Sequence, residues 1–316
     1  MRRLLLACVA SLLIYTSAFA FLLDRPLTLG ALRSRLEATI AIARTIHQPK
    51  LVILAGSNGP YSHRCETIAP IIGRPCINAG IAVGVGLDYL FTRWKPLLHP
   101  GDIVYLPMEE IQYARPRATA ELGPDATIML RHDRATLLAL PLHRQLAALF
   151  AADLRAAIMS LLETALVDDG FHDPRTALEG SANIWGDHVG HTEALAEANQ
   201  SNLATVVPTH HTEDAIRHGD GTAQIADFLR WARLHGVRAI GGLPTGFIDS
   251  PIAPDSVDAI RRVYRDQDAE FLELPNHSEY KRTDFFDTQD HLNEPAQIRH
   301  SLAIGEALAH LLATQP

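Results

Sequence analysis

Two short segments carry the residue types that acyl chemistry needs. Gly56-Ser57-Asn58-Gly59-Pro60 follows the apolar run Leu51-Val52-Ile53-Leu54-Ala55. A serine at a strand-to-helix turn has its own backbone N–H, and those of the next helical turn, directed where an oxyanion would form. Taken alone, such a serine reads first as a helix N-cap. Toward the other end, Asp284-Phe285-Phe286-Asp287-Thr288-Gln289-Asp290-His291-Leu292-Asn293 sets a histidine among carboxylates in a polar loop. Together the segments offer a nucleophile, Ser57, and a base, His291, with an aspartate to orient the imidazole. Asp287 is the better orienting group, because the side chain of the adjacent Asp290 points away from its neighbour's ring. Asp290 is the alternate.

Such a pair works only on a scaffold that brings position 57 to position 291. Leu32, Leu36, Ile40, Ala43 and Ile46 recur at helical spacing up to Gln48-Pro49, which predicts a helix over 31–47. The apolar run 51–55 reads as a buried strand, Pro60 suits the first turn of a helix to about Ile72, and Cys76-Ile77-Asn78 as a second strand. Gly80, Gly84 and Gly86 precede a helix over about 87–98, and His99-Pro100-Gly101 leads into a third strand, 102–106. From Glu109 to about Asn202 this rhythm breaks. An apolar helical stretch, Ala135 to Leu166, and a polar segment, Asp168 to His191, read as a helical insertion with a long loop of lid length. The rhythm resumes with a helix over 223–235, a strand over 237–243, a helix over 256–265, a strand over 271–274 and a closing helix over 295–312. Strands alternating with helices through short connections call for a three-layer α/β domain over 24–316, with five parallel strands. In such sheets functional groups collect outside the carboxyl ends of the strands, where Ser57 falls.

Composition narrows the functions. Hydrophobic residues at 47% allow a packed core, and a net charge of −8 with no basic run longer than Arg2-Arg3 argues against nucleic acid as a partner. Met1-Arg2-Arg3, the apolar run over 4–23 and Ala18-Phe19-Ala20 fit a secretory signal peptide cut after Ala20, or an uncleaved anchor. Either places the chain from Asp24 onward in the periplasm or outside the cell. There Cys65 and Cys76 read equally as a disulfide or as two small buried hydrophobes.

Other groups are weaker candidates. His188, His191, His210 and His211, with Asp187 and Glu213, match no metal-ligand spacing, so neither metal nor cofactor is expected. Trp185 in Trp185-Gly186-Asp187-His188 reads as a sugar platform or as a packed loop tryptophan. Glu109 and Glu110 end the third strand near the site, but carboxylates adjacent in sequence rarely converge on one glycosidic bond.

Leu54-Ala55-Gly56-Ser57-Asn58, Asn78-Ala79-Gly80 and Asp287 through His291, in that order, resemble the blocks of the SGNH (GDSL-like) hydrolase superfamily. The nearest likeness is to its exported branch, linked to acylation of cell-surface polysaccharides. The resemblance covers most of the exported chain outside the insertion, about 109–202. It implies a flavodoxin-like fold, Ser57 as nucleophile, His291 as base and Asp287 as its partner. The oxyanion would be received by the N–H groups of Ser57 and Gly80, assisted by Asn58. It further implies ester hydrolysis or acetyl transfer on an extracytoplasmic polysaccharide, with a membrane acyltransferase or glycan synthase as partner. Two departures stand out. The family's third block carries Gly-x-Asn-Asp, whose asparagine donates to the oxyanion, whereas this chain has Pro107-Met108-Glu109-Glu110. Loss of such a donor costs about two to three powers of ten in rate. The aspartate usually stands three residues before the histidine, and that position is Thr288. A catalytically weak accessory or binding subunit of a polymer-synthesis complex is therefore the alternative.

Overall fold

Alternation of side chains along five short strands sorts the interior into two packed layers. The strands are β1 (Leu51–Ile53), β2 (Cys76–Asn78), β3 (Ile103–Leu106), β4 (Arg238–Gly242) and β5 (Glu270–Leu272). All neighbours are parallel, in the order β2-β1-β3-β4-β5. Val52 pairs with Ile77 and Val104, and Val104 with Ala239, so these four point to one face. There they pack against the helices Ala31–Thr45, Leu87–Trp94, Asp220–Leu234 and Pro254–Arg265. Leu51, Ile53, Ile103, Tyr105 and Ile240 point the other way, onto the helices Cys65–Ile72 and Glu294–Thr314. The result is a three-layer α/β fold in one of the two common doubly wound strand orders. This computed structural model describes residues 1–22, 31–148, 151 and 180–314.

A buried ion pair fixes the lower edge of the sheet. Lys50, just before β1, donates from its backbone N and from Nζ to Asp102, just before β3, at 3.0 and 2.6 Å. Both residues are buried, and Asp102 also accepts the His99 N–H at 2.8 Å. Breaking such a pair leaves a charge stranded in the interior, at about 3–5 kcal/mol.

The structure departs from the expected elements in two places. The helix expected from Pro60 to about Ile72 is two helices, Asn58–Ser62 and Cys65–Ile72, separated by an extended His63 with φ −121° and ψ 140°. The cause lies far away in sequence: Asp187 accepts the N–H groups of Cys65 (2.9 Å) and Glu66 (3.4 Å), so a new helix begins there. The helical stretch expected from Ala135 is also divided. It starts within the helix Arg134–Ala139, which Asp133 caps through Thr136 N–H (3.4 Å), and a new helix, Leu142–Ala148, begins after Pro141. Residues 152–166 of that stretch, the first half of the polar segment (168–179) and the expected domain start at 24 lie outside the described residues.

Residues 2–22 form one helix, on which Leu4, Leu5, Leu12, Leu13 and Ile14 are exposed. Among the described residues no helix is long and apolar enough to cross a membrane. Cys65 and Cys76 are joined by a disulfide with Cα atoms 5.1 Å apart, which staples the helix Cys65–Ile72 to β2. The chain-entropy model gives a loop this short about 2–3 kcal/mol. Urea unfolding of the Cys65→Ala/Cys76→Ala double variant should show a loss of that size with an unchanged native circular dichroism spectrum.

Candidate active site

The turn that carries Ser57 is built by close backbone approach. Gly80, just beyond β2, lies so near the turn that a Cβ there would sit 2.6 Å from Pro60 Cδ and 2.8 Å from Gly59 Cα. Asn78 closes the arrangement, its side-chain amide donating to the carbonyls of Gly59 (2.9 Å) and His63 (3.0 Å) while Oδ1 faces the Gly80 N–H at 3.3 Å. Ser57 begins the helix Asn58–Ser62, is half-buried, and its hydroxyl makes no capping hydrogen bond. The next residue differs from expectation. Asn58 is fully buried, and its side-chain amide donates to Pro107 O at 2.7 Å, tying the turn to the exit of β3. Its backbone N–H points to Glu109 Oε1 at 3.3 Å. The Asn58 side chain is therefore an anchor of the turn rather than a free oxyanion donor.

The C-terminal loop brings Asp287 and His291 together. Phe286 N–H donates to His291 O at 2.8 Å, and a bridge between Phe285 and Leu292 closes the loop. That closure sets His291 Nδ1 2.7 Å from Asp287 Oδ1. Nδ1–H then donates to the carboxylate, and the other ring nitrogen keeps its lone pair. Asp290 turns elsewhere, while its backbone carbonyl accepts from Ser62 Oγ (2.9 Å) and Thr245 Oγ1 (3.0 Å).

Tyr61 joins the two halves. It lies one helical turn beyond Ser57, with its N–H 3.3 Å from Ser57 O. Its ring stacks on the His291 ring at 3.9 Å and 9°, and on the His188 ring at 4.0 Å and 22°. The short helix that starts at Ser57 thus also supports the plane of the imidazole. The hydrogen bond that His291 makes is to Asp287, and the Ser57 hydroxyl makes no cap hydrogen bond.

The remaining candidates have structural partners. His191 is buried beside Tyr61, Phe286 and His291, and burial followed by the charge of His291 lowers it to about 4. His188 meets Arg35 at 3.1 Å, His210 meets Glu110 at 2.8 Å, and Glu213 meets Arg262 at 2.9 Å. Asp187 caps the helix Cys65–Ile72, and Trp185 packs partly buried beside that layer, its carbonyl accepting the Asn78 N–H at 2.8 Å. Among the described residues no three His, Cys, Asp or Glu side chains are grouped to hold a metal.

Sequence reasoning missed the partners of Glu109. Glu110 turns to His210 and to the His211 N–H (3.1 Å), whereas Glu109 turns back over Gly56 and Asn58. Glu109 is 6% exposed, and burial pushes its carboxyl up to about 7 against the pull of the Asn58 N–H and Arg115. Asp290 lies close enough for the two charges to interact, and burial and then Glu109 raise it well above the usual carboxylate range. The available signal was topological: β3 neighbours β1, so residues just past Leu106 must face the Ser57 turn. A cleft of about 690 Å³ is lined by Val83, Glu109, Glu110, His210, Phe247 and Asp290.

With Nδ1–H held by Asp287, the other His291 nitrogen is left able to accept a proton from a hydroxyl brought to it. In comparisons with known proteins, no family model matches the chain and no curated protein matches it.

The buried His191 supplies a pH test. Its folded value, about 4, lies below the roughly 6.5 of an unfolded histidine, so protons favour the unfolded chain. Its contribution is present above about 6.5 and lost as pH falls toward 4. Urea unfolding should show His191→Leu gaining on wild type by about 1.4 kcal/mol per pH unit across that window. A pH-independent difference would contradict the assignment.

Proposed function

We propose that the chain is an exported ester hydrolase or O-acyltransferase of SGNH type, acting on acylated polysaccharide with acetyl as the simplest group. The observation that carries this reading is the 2.7 Å Asp287–His291 pair, its imidazole stacked on the helix that Ser57 begins. Three further features support it: the β2-β1-β3-β4-β5 order, Ser57 just beyond the carboxyl end of β1, and the Gly80 backbone packed against that turn. Ser57 Oγ attacks the ester carbonyl as His291 takes its proton. The tetrahedral oxyanion is received by the N–H groups of Ser57 and Gly80. Collapse breaks the ester C–O bond, and His291 returns the proton to the departing alkoxide. A water or a sugar hydroxyl then repeats the sequence on the acyl-serine, releasing Ser57 with its proton restored. Export follows from the Arg2-Arg3 and apolar leader, and a membrane acyltransferase or glycan synthase would supply the substrate.

A second reading is favoured by one specific contact. With Glu109 Oε1 held 3.3 Å from the Asn58 N–H and no asparagine after β3, the chain would be a catalytically silent binding subunit of a polymer-modifying complex.

Fluorophosphonate labelling and hydrolysis of p-nitrophenyl acetate separate the two. Wild type should be labelled at Ser57 and turn over slowly. Ser57→Ala and His291→Ala should each fall to background, with the double variant no worse, because the two act as a unit. Asp287→Asn should retain more activity than either. A wild type that neither labels nor hydrolyses ester establishes the binding subunit, and full activity in Ser57→Ala moves the chemistry to another residue.

A further inference from the structure

We propose that Glu109 is an oxyanion donor of the Ser57 site, its protonated carboxyl group donating where an asparagine amide is missing after β3. The inference rests on the serine-dependent reading above and assigns a residue which that reading leaves out.

Position is the first argument. A Cβ built on Gly56 would lie 2.4 Å from Glu109 Oε1, and that oxygen stands 3.3 Å from the Asn58 N–H. The carboxyl group therefore covers the backbone on both sides of Ser57, and Glu109 also lines the neighbouring cleft. The capping arrangement of the helix Glu110–Ala114 holds it there, with Gln112 Oε1 accepting the Glu109 N–H at 3.0 Å. Only Gly56 permits the approach.

Charge is the second. An ionised carboxylate at this spot would repel a developing oxyanion and keep a backbone donor for itself. A neutral carboxylic acid instead presents an O–H, and apolar surroundings are a known means of keeping a catalytic acid protonated. The groups facing Glu109 favour the neutral form. From the C-terminal loop comes Asp290, a second carboxyl competing for the same proton, with His291 beside it. Arg115, on the following helix, opposes, as does the Asn58 N–H. The adjacent Glu110 is engaged by His210, and farther along the cleft stand Asp258, Arg261 and Glu279. Burial outweighs both Arg115 and the Asn58 N–H and pushes the carboxyl up to about 7. The proton stays on Glu109 throughout. The one transferred still runs from Ser57 to His291 and on to the leaving alkoxide.

The test is kcat/KM for p-nitrophenyl acetate from pH 5 to 9, in wild type, Glu109→Gln, Glu109→Ala and Ser57→Ala. Wild type should give a bell, its acid limb set by the imidazole and its alkaline limb near 7 by Glu109. Glu109→Gln, which keeps a donor of similar shape, should stay within about threefold of wild type at neutral pH and lose the alkaline limb. Glu109→Ala should drop kcat about 10²- to 10³-fold, with native circular dichroism confirming the fold. A variant Glu109→Ala as active as wild type, or faster, overturns the proposal and makes the carboxyl a plug. So does an alkaline limb near 7 that survives in Glu109→Gln. If Ser57→Ala abolishes activity while Glu109→Ala does not, the serine reading stands and only this assignment falls. If wild type itself is inert, both fall together.

Discussion

The Asn78–Asp187 contact holds the candidate site together. Asn78 stands at the end of β2 and donates to Gly59 O, His63 O and Asp187 Oδ1, the last at 3.2 Å. Asp187 is buried and accepts in addition from Cys65 N, Glu66 N and Asn183 Nδ2. One carboxylate thus begins a helix, closes a loop and braces the asparagine that shapes the Ser57 turn. Burial raises the Asp187 carboxyl, and the hydrogen bonds from Cys65, Asn183, Asn78 and Glu66 pull the other way. Without it the helix start at Cys65 would lose its acceptors, and Tyr61, three residues before Arg64, would lose the geometry that sets its ring against His291.

The sheet was legible in the sequence because its signal is local. Each strand is a brief apolar run bounded by Pro, Gly or Asn, and the helices between them carry their own periodicity. The choice of Asp287 over Asp290 rested on a different, local argument: the side chain of a residue adjacent to His291 points away from its ring, and Asp287 is the one that meets Nδ1. The split between Ser62 and Cys65 was not legible, because its cause, Asp187, lies 122 residues from Cys65 along the chain. Tyr61 looked like an ordinary residue of a helix, and only the folded loop reveals the ring it supports. Asn58 stood beside the serine and invited a role in the reaction, yet its amide serves Pro107.

The carboxyl groups around the turn show how one residue type is given different work by its surroundings. Asp287 is partly exposed and accepts a hydrogen bond from an imidazole. Asp187 is ringed by four donors. At Glu109 and Asp290 burial outweighs the donors present and raises both carboxyls. The adjacent Glu109 and Glu110 have different partners, the Asn58 N–H for the first and His210 with the His211 N–H for the second.

The staple between Cys65 and Cys76 gives the compartment a say in assembly. It ties the start of the Asp187-capped helix to the beginning of β2, two residues before Asn78. In a reducing environment that crosslink is absent, and the helix, the strand and the turn between them are joined only by weaker contacts. Oxidation locks all three at once. A reduced chain would therefore carry every residue of the candidate site and still hold it in a looser frame, so that the shape of the turn depends on the redox conditions in which the chain folds.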